Sequence, residues 1–207
     1  NNSFRTIAAL ADAGTPHRML AGPWAHADAS TAMPGPRIDF DAERFFREDI
    51  HTPWGAAIDF HQDAVRRYFI DNALMWLRDY HVDGLRLDAV HALHDASAVH
   101  LLEQLVVEVE SLSTHLGRPL SLIAESDQND PRTVTAREAG GLGLDGQWVD
   151  DVHHAVHAAV SGERQGYYAD FTAPEALRTL VATPFFHDGT YSSFRGRTHG
   201  RPVEPST

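Results

Sequence analysis

The chain has 207 residues, 43% of them hydrophobic, no cysteine, and 17 Lys and Arg against 29 Asp and Glu, for a formal charge of −12. That length and apolar content suit one domain with its own core, and the missing cysteines exclude disulfides and thiolate sites. The acidic balance argues against a nucleic-acid partner, which needs clustered positive charge, and no apolar run or leader pattern suggests a membrane span or signal peptide; a cytoplasmic protein is the expectation, with its oligomeric state open.

Along the chain, residues 1–44 read as an irregular lead segment rich in Pro, Gly and Ala, separate from the rest of the chain. Behind a possible Asp63 cap, Val65, Phe69, Ala73, Trp76, Leu77 and Tyr80 recur at helical spacing, which predicts an amphipathic helix over 63–80. GLRLDAV follows as a short buried strand, which encloses the charged Arg86 and Asp88 within its apolar run. Ala98, Leu102, Leu105, Val109, Leu112 and Leu116 predict a second helix, opened by Asp95 or Ser97 and closed by Gly117 and Pro119. PLSLIAES (119–126) reads as a second strand and LDGQWVDD (144–151) as a third, followed by a short helix that Ser161 and Gly162 stop. Thr172 with Glu175 makes a capping box for one more helix. Strands alternating with helices of this length predict a parallel α/β arrangement, either a barrel or an open doubly wound sheet.

Two carboxylates stand where chemistry is expected. Asp88 closes GLRLD and Glu125 closes SLIAE, so both rise at the carboxyl ends of their strands, the rim that carries active sites in parallel α/β barrels. Paired carboxylates of this kind are the equipment of a glycosidase, one attacking the anomeric carbon and the other protonating the leaving oxygen. Arg86, two residues before Asp88, lies on the same side of the strand, where its guanidinium can orient that carboxylate. Spacing alone fits an Arg–Asp ion pair capping a strand equally well, with Glu125 a solvated loop residue. Histidines cluster at His91 and His94 and at His153, His154 and His157. Without an HExxH motif or a cysteine partner they read as surface or ligand-contacting groups rather than as a metal site.

GLRLDAVH and LIAESD resemble two characteristic segments of the α-amylase superfamily of glycoside hydrolases. HTPWGAAI (51–58), residues 71–95, IAESDQNDPR (123–132) and above all LDGQWVDDVHHAVHAAVSGERQGYYADF (144–171) resemble the malto-oligosyltrehalose trehalohydrolase family. The resemblance implies that residues 45–207 are the central part of a (β/α)8 TIM barrel, incomplete at both ends. It also implies hydrolysis of the α-1,4 bond next to the terminal trehalose of maltooligosyltrehalose, a step of trehalose biosynthesis, by a retaining route without cofactors. By position, Asp88 is then the nucleophile and Glu125 the general acid and base, while Arg86, His91, Asp150, Asp151 and His153 contact sugar hydroxyls. Asp150 and Asp151 also suit a helix N-terminus, and Trp148 suits either a sugar face or a core.

The chain departs from the family in three places. The family's first characteristic strand, ending in Asp-Val-Val-Tyr-Asn-His, has no counterpart before HTPWG, and the segment with the third catalytic carboxylate has none after YSSFRGRTHG. The isolated chain is therefore expected to be inactive and poorly stable, with open strand edges. Residues 15–43, in contrast, resemble α/β-hydrolases of the cocaine-esterase and X-prolyl dipeptidyl-peptidase type, where the histidine of Gly-Pro-Trp-x-His, here His26, is the base of a Ser-His-Asp triad. No Gly-x-Ser-x-Gly elbow accompanies it. The junction near residue 44 reads as a recombined or misassembled frame, or as a chance likeness.

Overall fold

The computed structural model describes residues 45–171 and 174–203; the lead segment 1–44, with His26, and the Thr172 cap lie outside the described residues. A hairpin of β1 (Phe46–Thr52) and β2 (Gly55–Ile58) leads into α1 (Asp63–Arg78), β3 (Gly84–Leu87), α2 (Leu101–Leu116), β4 (Ser121–Ser126), β5 (Gly146–Val149), α3 (Asp150–Ser161) and α4 (Pro174–Ala182). A second hairpin, β6 (Thr190–Ser192) and β7 (Arg197–His199), follows. The central sheet is β3-β4-β5, all parallel, with Leu87 opposite Ala124 and Glu125 opposite Trp148. Among the described residues the sheet is open rather than closed into a barrel, and the parallel α/β class read from the sequence is the one observed.

Why these segments fold as they do is explained by their patterning. In α1 the buried positions Val65, Ile70, Ala73 and Leu77 form one stripe, but Trp76, placed on that stripe by spacing, is exposed and packs on Tyr80 with ring centroids 4.7 Å apart. In α2, Leu101, Leu102, Leu105, Val106 and Val109 face inward, and the helix stops at Gly117, whose φ of 65° lies in the left-handed region that glycine enters freely. Both stripes bury Leu122, Ala124 and, in part, Leu85 and Leu87 on one face of the sheet. The opposite face, bearing Arg86, Ile123 and Trp148, is open. Expected as buried, Arg86 and Asp88 instead retain side-chain exposures of 43% and 68%, because this face of β3 has no layer of the described residues over it.

The two hairpins carry no period long enough to be read from sequence. The first turns through Thr-Pro-Trp-Gly, where Thr52 Oγ1 donates to the Gly55 carbonyl at 3.0 Å and accepts from the Trp54 amide at 3.2 Å. The second folds back on the loop after β4. There Gly200, at φ 74°, lies so close to the His187 carbonyl that a Cβ would sit 1.8 Å from its oxygen, so no other residue fits.

One buried cation joins the first helix to the loop that follows β3. From α1, the Arg66 guanidinium donates to Asp95 Oδ2 at 2.6 Å, to Gln104 Oε1 of α2 at 2.9 Å, and to the carbonyls of Val99 at 2.8 Å and Phe60 at 3.2 Å. Asp95 in turn accepts from the Leu101 amide at 2.7 Å and the Ser97 amide at 2.9 Å, opening α2 from six residues upstream. Both side chains are nearly sealed from water, Arg66 at 9% and Asp95 at 0%. Burial by itself raises the Asp95 carboxyl, but hydrogen bonds from Ser97, Arg66 and Leu101 outweigh it and hold the group at about 2. Removing one partner of a buried pair strands the other, which costs about 3–5 kcal/mol. Arg66→Ala is therefore expected to lower the unfolding free energy by that margin, read in urea as an earlier midpoint. With the folded value below the ordinary carboxylate value of about 3.9, the Asp95 contribution is complete above pH 4 and lost as pH falls toward 2. Chemical denaturation of Asp95→Asn between pH 2 and 6 checks this: the variant should lose much of the acid dependence that the parent shows.

Candidate active site

The carboxyl ends of β3, β4 and β5 bring the sequence-predicted residues to one rim. Leu87 is the last residue of β3, and Asp88 stands one position beyond it. Arg86 spans the two carboxylates, with Nη1 2.8 Å from Asp88 Oδ1 and Nη2 3.8 Å from Glu125 Oε2. The turn after Asp88 depends on Ala89, which takes a left-handed conformation at φ 48° that costs a non-glycine residue energy. That turn aims the Ala89 amide at Glu125 Oε2, which accepts it at 2.6 Å. Glu125, with only 13% of its side chain exposed, is thus fixed while Asp88 remains open to solvent. Trp148, opposite Glu125 on β5, is 54% exposed and lies 5.4 Å beneath the Arg86 guanidinium, a cation–π contact on an open aromatic face.

Helix α3 starts immediately after β5, so its first residues enter the same rim. Asp150 shares a side-chain hydrogen bond with Glu125; burial first, and then that bond and the negative charges of Glu125, Asp127 and Asp151, push its carboxyl up to about 7. His153, one turn on, is lowered by burial against the opposing pull of Glu125. His154 is lowered by burial to about 4 and stacks on Tyr167 at 5.3 Å. Asp150, His153 and His154 bring ligand-type atoms within 4.8 Å of one another, the one such trio among the described residues. With Asp150 engaged by Glu125 and His154 stacked on Tyr167, the trio belongs to the carboxylate cluster. His91 lies 6.2 Å from Trp54 and directs Nδ1 toward Asp127 Oδ1 at 3.6 Å. His157 is drawn away, stacked on Tyr168 and bonded to Glu163.

Asp151 does not present its carboxylate to this rim. It is 4% exposed, and its Oδ2 accepts from Asn129 Nδ2 at 2.7 Å, the Phe186 amide at 2.9 Å and the His187 amide at 3.1 Å. The sequence reading placed it among the sugar contacts; the helix turns it inward. From the far side, Arg195 pairs with Asp127 at 2.5 Å and His199 Nε2 meets the Asp127 carbonyl at 2.6 Å. The β6-β7 hairpin therefore clamps the loop that follows Glu125.

This sequence and geometry recur in known proteins. No protein-family model matches the chain. It is 61% identical over 155 residues to the malto-oligosyltrehalose trehalohydrolase of Arthrobacter ramosus, covering 73% of this chain and 27% of the relative. The trehalohydrolase of Mycobacterium tuberculosis is 58% identical over 158 residues, 75% of this chain and 27% of the relative. Over those stretches the chain is a malto-oligosyltrehalose trehalohydrolase homologue. A crystal structure of an alpha amylase candidate from Salmonella typhimurium superimposes with a TM-score of 0.69 at 36% identity, over 77% of this chain and 27% of the other. The chain thus spans roughly a quarter of the length of the trehalohydrolases it matches.

In this trehalohydrolase homologue, Arg86, Asp88, Glu125 and Asp150 come together, with Trp148 and His153 beside them. Sequence reasoning missed the Ala89 amide and the Arg195–Asp127 clamp, because a backbone donor has no residue signature and the clamp spans 68 positions. Asp151→Ala is expected to leave the Phe186 and His187 amides without an acceptor and Asn129 Nδ2 with the His187 carbonyl alone, at about 1–3 kcal/mol for each donor left unsatisfied. Amide exchange at Phe186 and His187 should accelerate in the variant while exchange in α2 stays slow; unchanged exchange at those two amides would contradict the pinning role.

Proposed function

We propose that residues 45–207 form the nucleophile and acid/base sector of a retaining glycoside hydrolase that releases trehalose from maltooligosyltrehalose. In this reading β3, β4 and β5 are consecutive strands of a (β/α)8 barrel. The observation that carries it is the convergence of Asp88 and Glu125, from neighbouring strand ends, on the single Arg86 guanidinium. The trehalohydrolase names of the relatives supply the substrate, a neutral glucan that suits a chain of charge −12.

The chemistry follows from the two environments. Asp88, exposed and oriented by Arg86, attacks the anomeric carbon of the glucose joined to trehalose. Glu125, enclosed and held by the Ala89 amide, delivers a proton to the leaving oxygen, then withdraws one from the water that opens the glycosyl–Asp88 ester. Two displacements at one carbon return the α configuration. Trp148 offers its open face to a sugar ring, and His91 and His153 offer ring nitrogens to hydroxyls. Asp151 acts from beneath by holding the loop 186–187.

Assayed in the protein that carries this chain, Asp88→Asn and Glu125→Gln are each expected to lower trehalose release by a factor on the order of 10⁴ or more. Proton NMR of the first-formed maltooligosaccharide should show the α anomer. Wild-type release with Asp88→Asn, or a β product, would overturn the roles. A second reading, a carbohydrate-binding unit without turnover, is favoured by the exposed Trp148 under Arg86. Calorimetric binding of maltooligosaccharide that Trp148→Ala abolishes, with no trehalose formed by the wild type, would favour it.

A further inference from the structure

The carboxylate of Asp127 stands two residues beyond Glu125 and has no part in the two-displacement scheme. Three segments of the chain meet on it. From the β6-β7 hairpin, Arg195 Nη2 reaches its Oδ2 at 2.5 Å, and His199 Nε2 donates to its backbone carbonyl at 2.6 Å. From the turn after β3, His91 directs Nδ1 at its Oδ1 across 3.6 Å. With one oxygen on Arg195 and the main chain on His199, the second oxygen is fixed in front of the imidazole. The side chains of Asp127, Arg195 and His91 are all largely enclosed.

Nδ1 of His91 is buried without a hydrogen-bond partner. An ionised carboxylate only accepts, so it repels a bare nitrogen lone pair and attracts an N–H. The contact is longer than a formed N–H···O bond, but the sign of this preference is the same at 3.6 Å as at contact. Hydrogen bonds in open sites tighten when a ligand closes them. Which ring nitrogen of a histidine carries the proton is set by what the other one meets. We infer that Asp127 is a positioning residue that fixes His91 as the Nδ1–H tautomer, so that Nε2 is left as a bare acceptor for a sugar hydroxyl. The inference rests on the sugar contact proposed for His91.

The tautomer decides what His91 can ask of its ligand. A hydroxyl that donates to Nε2 keeps both of its lone pairs for other donors, whereas an Nε2–H would use one of them. Trp54, its ring centroid 6.2 Å from that of His91, packs beside the imidazole, so the ring is held between an aromatic neighbour and the carboxylate. In Asp127→Asn the amide oxygen can still serve Arg195, and its NH2 then faces Nδ1. A donor in that place selects the opposite tautomer, with the proton on Nε2 and a donor turned toward the sugar.

Nitrogen-15 NMR of labelled histidine side chains reads the tautomer, in the protein that carries this chain and at about pH 9, well above the ordinary histidine value of about 6.5. The His91 signal is assigned by its loss in His91→Gln. The expected result is a proton on Nδ1 in the wild type and on Nε2 in Asp127→Asn. A wild-type proton on Nε2 overturns the inference, and that result does not depend on whether Asp127→Asn folds. In the kinetics of trehalose release, Asp127→Asn is expected to raise KM roughly 5- to 10-fold, about the worth of one hydrogen bond, with the change in KM rather than kcat. In a His91→Ala background the same substitution should add little. Losses that simply multiply would mean that Asp127 acts through other contacts, and would overturn the positioning of His91. Failure of the inference is separable from failure of the glycosidase reading. An Nδ1–H tautomer that switches in Asp127→Asn, without any trehalose release, sinks the function and leaves the tautomer assignment. Release by a protein whose His91 carries its proton on Nε2 does the opposite.

Discussion

The buried Arg66 guanidinium is the constraint on which the rest of the described structure depends. It stands at the start of α1, yet its acceptors lie in the segment before that helix, in the loop after β3 and in α2. A cation taken out of water is tolerated only if its donors are met, so these segments can have only one mutual placement. That placement sets where β3 ends relative to β4. The register that pairs Leu87 with Ala124 puts Asp88 and Glu125 level at the rim, and the loop carrying Ala89 and His91 is strung between this rim and the anchored Asp95.

The rim concentrates negative charge around one guanidinium. Asp88, Glu125 and Asp150 are joined by Asp127, itself tied to Arg195. Carboxylates crowded in this way differentiate by environment. Asp88, the most exposed and nearest to Arg86, keeps its charge available at the surface. Glu125 is enclosed and held by the Ala89 amide, and Asp150 is pushed up to about 7 by burial and its acidic neighbours. Different roles for chemically similar groups thus arise from burial and from which neighbour each one faces.

Much of this was legible in the sequence, and the limits have physical causes. The helices over 63–78 and 101–116 were readable because a core stripe recurs over four turns. The positions of Asp88 and Glu125 were readable because short apolar runs end abruptly in acid. Trp76 was misplaced on the buried stripe because periodicity assumes that every side chain on a helical face is covered, and this one is exposed and packs on Tyr80. The hairpins β1-β2 and β6-β7 escaped because strands of three to seven residues, fixed by a turn and by contacts far along the chain, carry little local pattern. The expectation that Arg86 is buried rested on its apolar flanks, but alternate residues of a strand face opposite ways, and only one face of this sheet is covered by α1 and α2.

Asp150 and Asp151 show where residue type stops informing and geometry decides. They are neighbours of the same kind, and both suit a helix N-terminus. Successive side chains on an α-helix diverge by about 100°, so from one helix start the first reaches Glu125 across the rim and the second turns into the protein, toward Asn129 and the amides of Phe186 and His187. The inward aspartate finds three donors for its Oδ2. The outward one finds no such donors: its Oδ1 is buried without a hydrogen-bond partner, and burial with its acidic neighbours pushes the carboxyl up to about 7. Exchanging their surroundings would exchange their behaviour, and what fixes those surroundings is the absence of a loop between Val149 and Asp150.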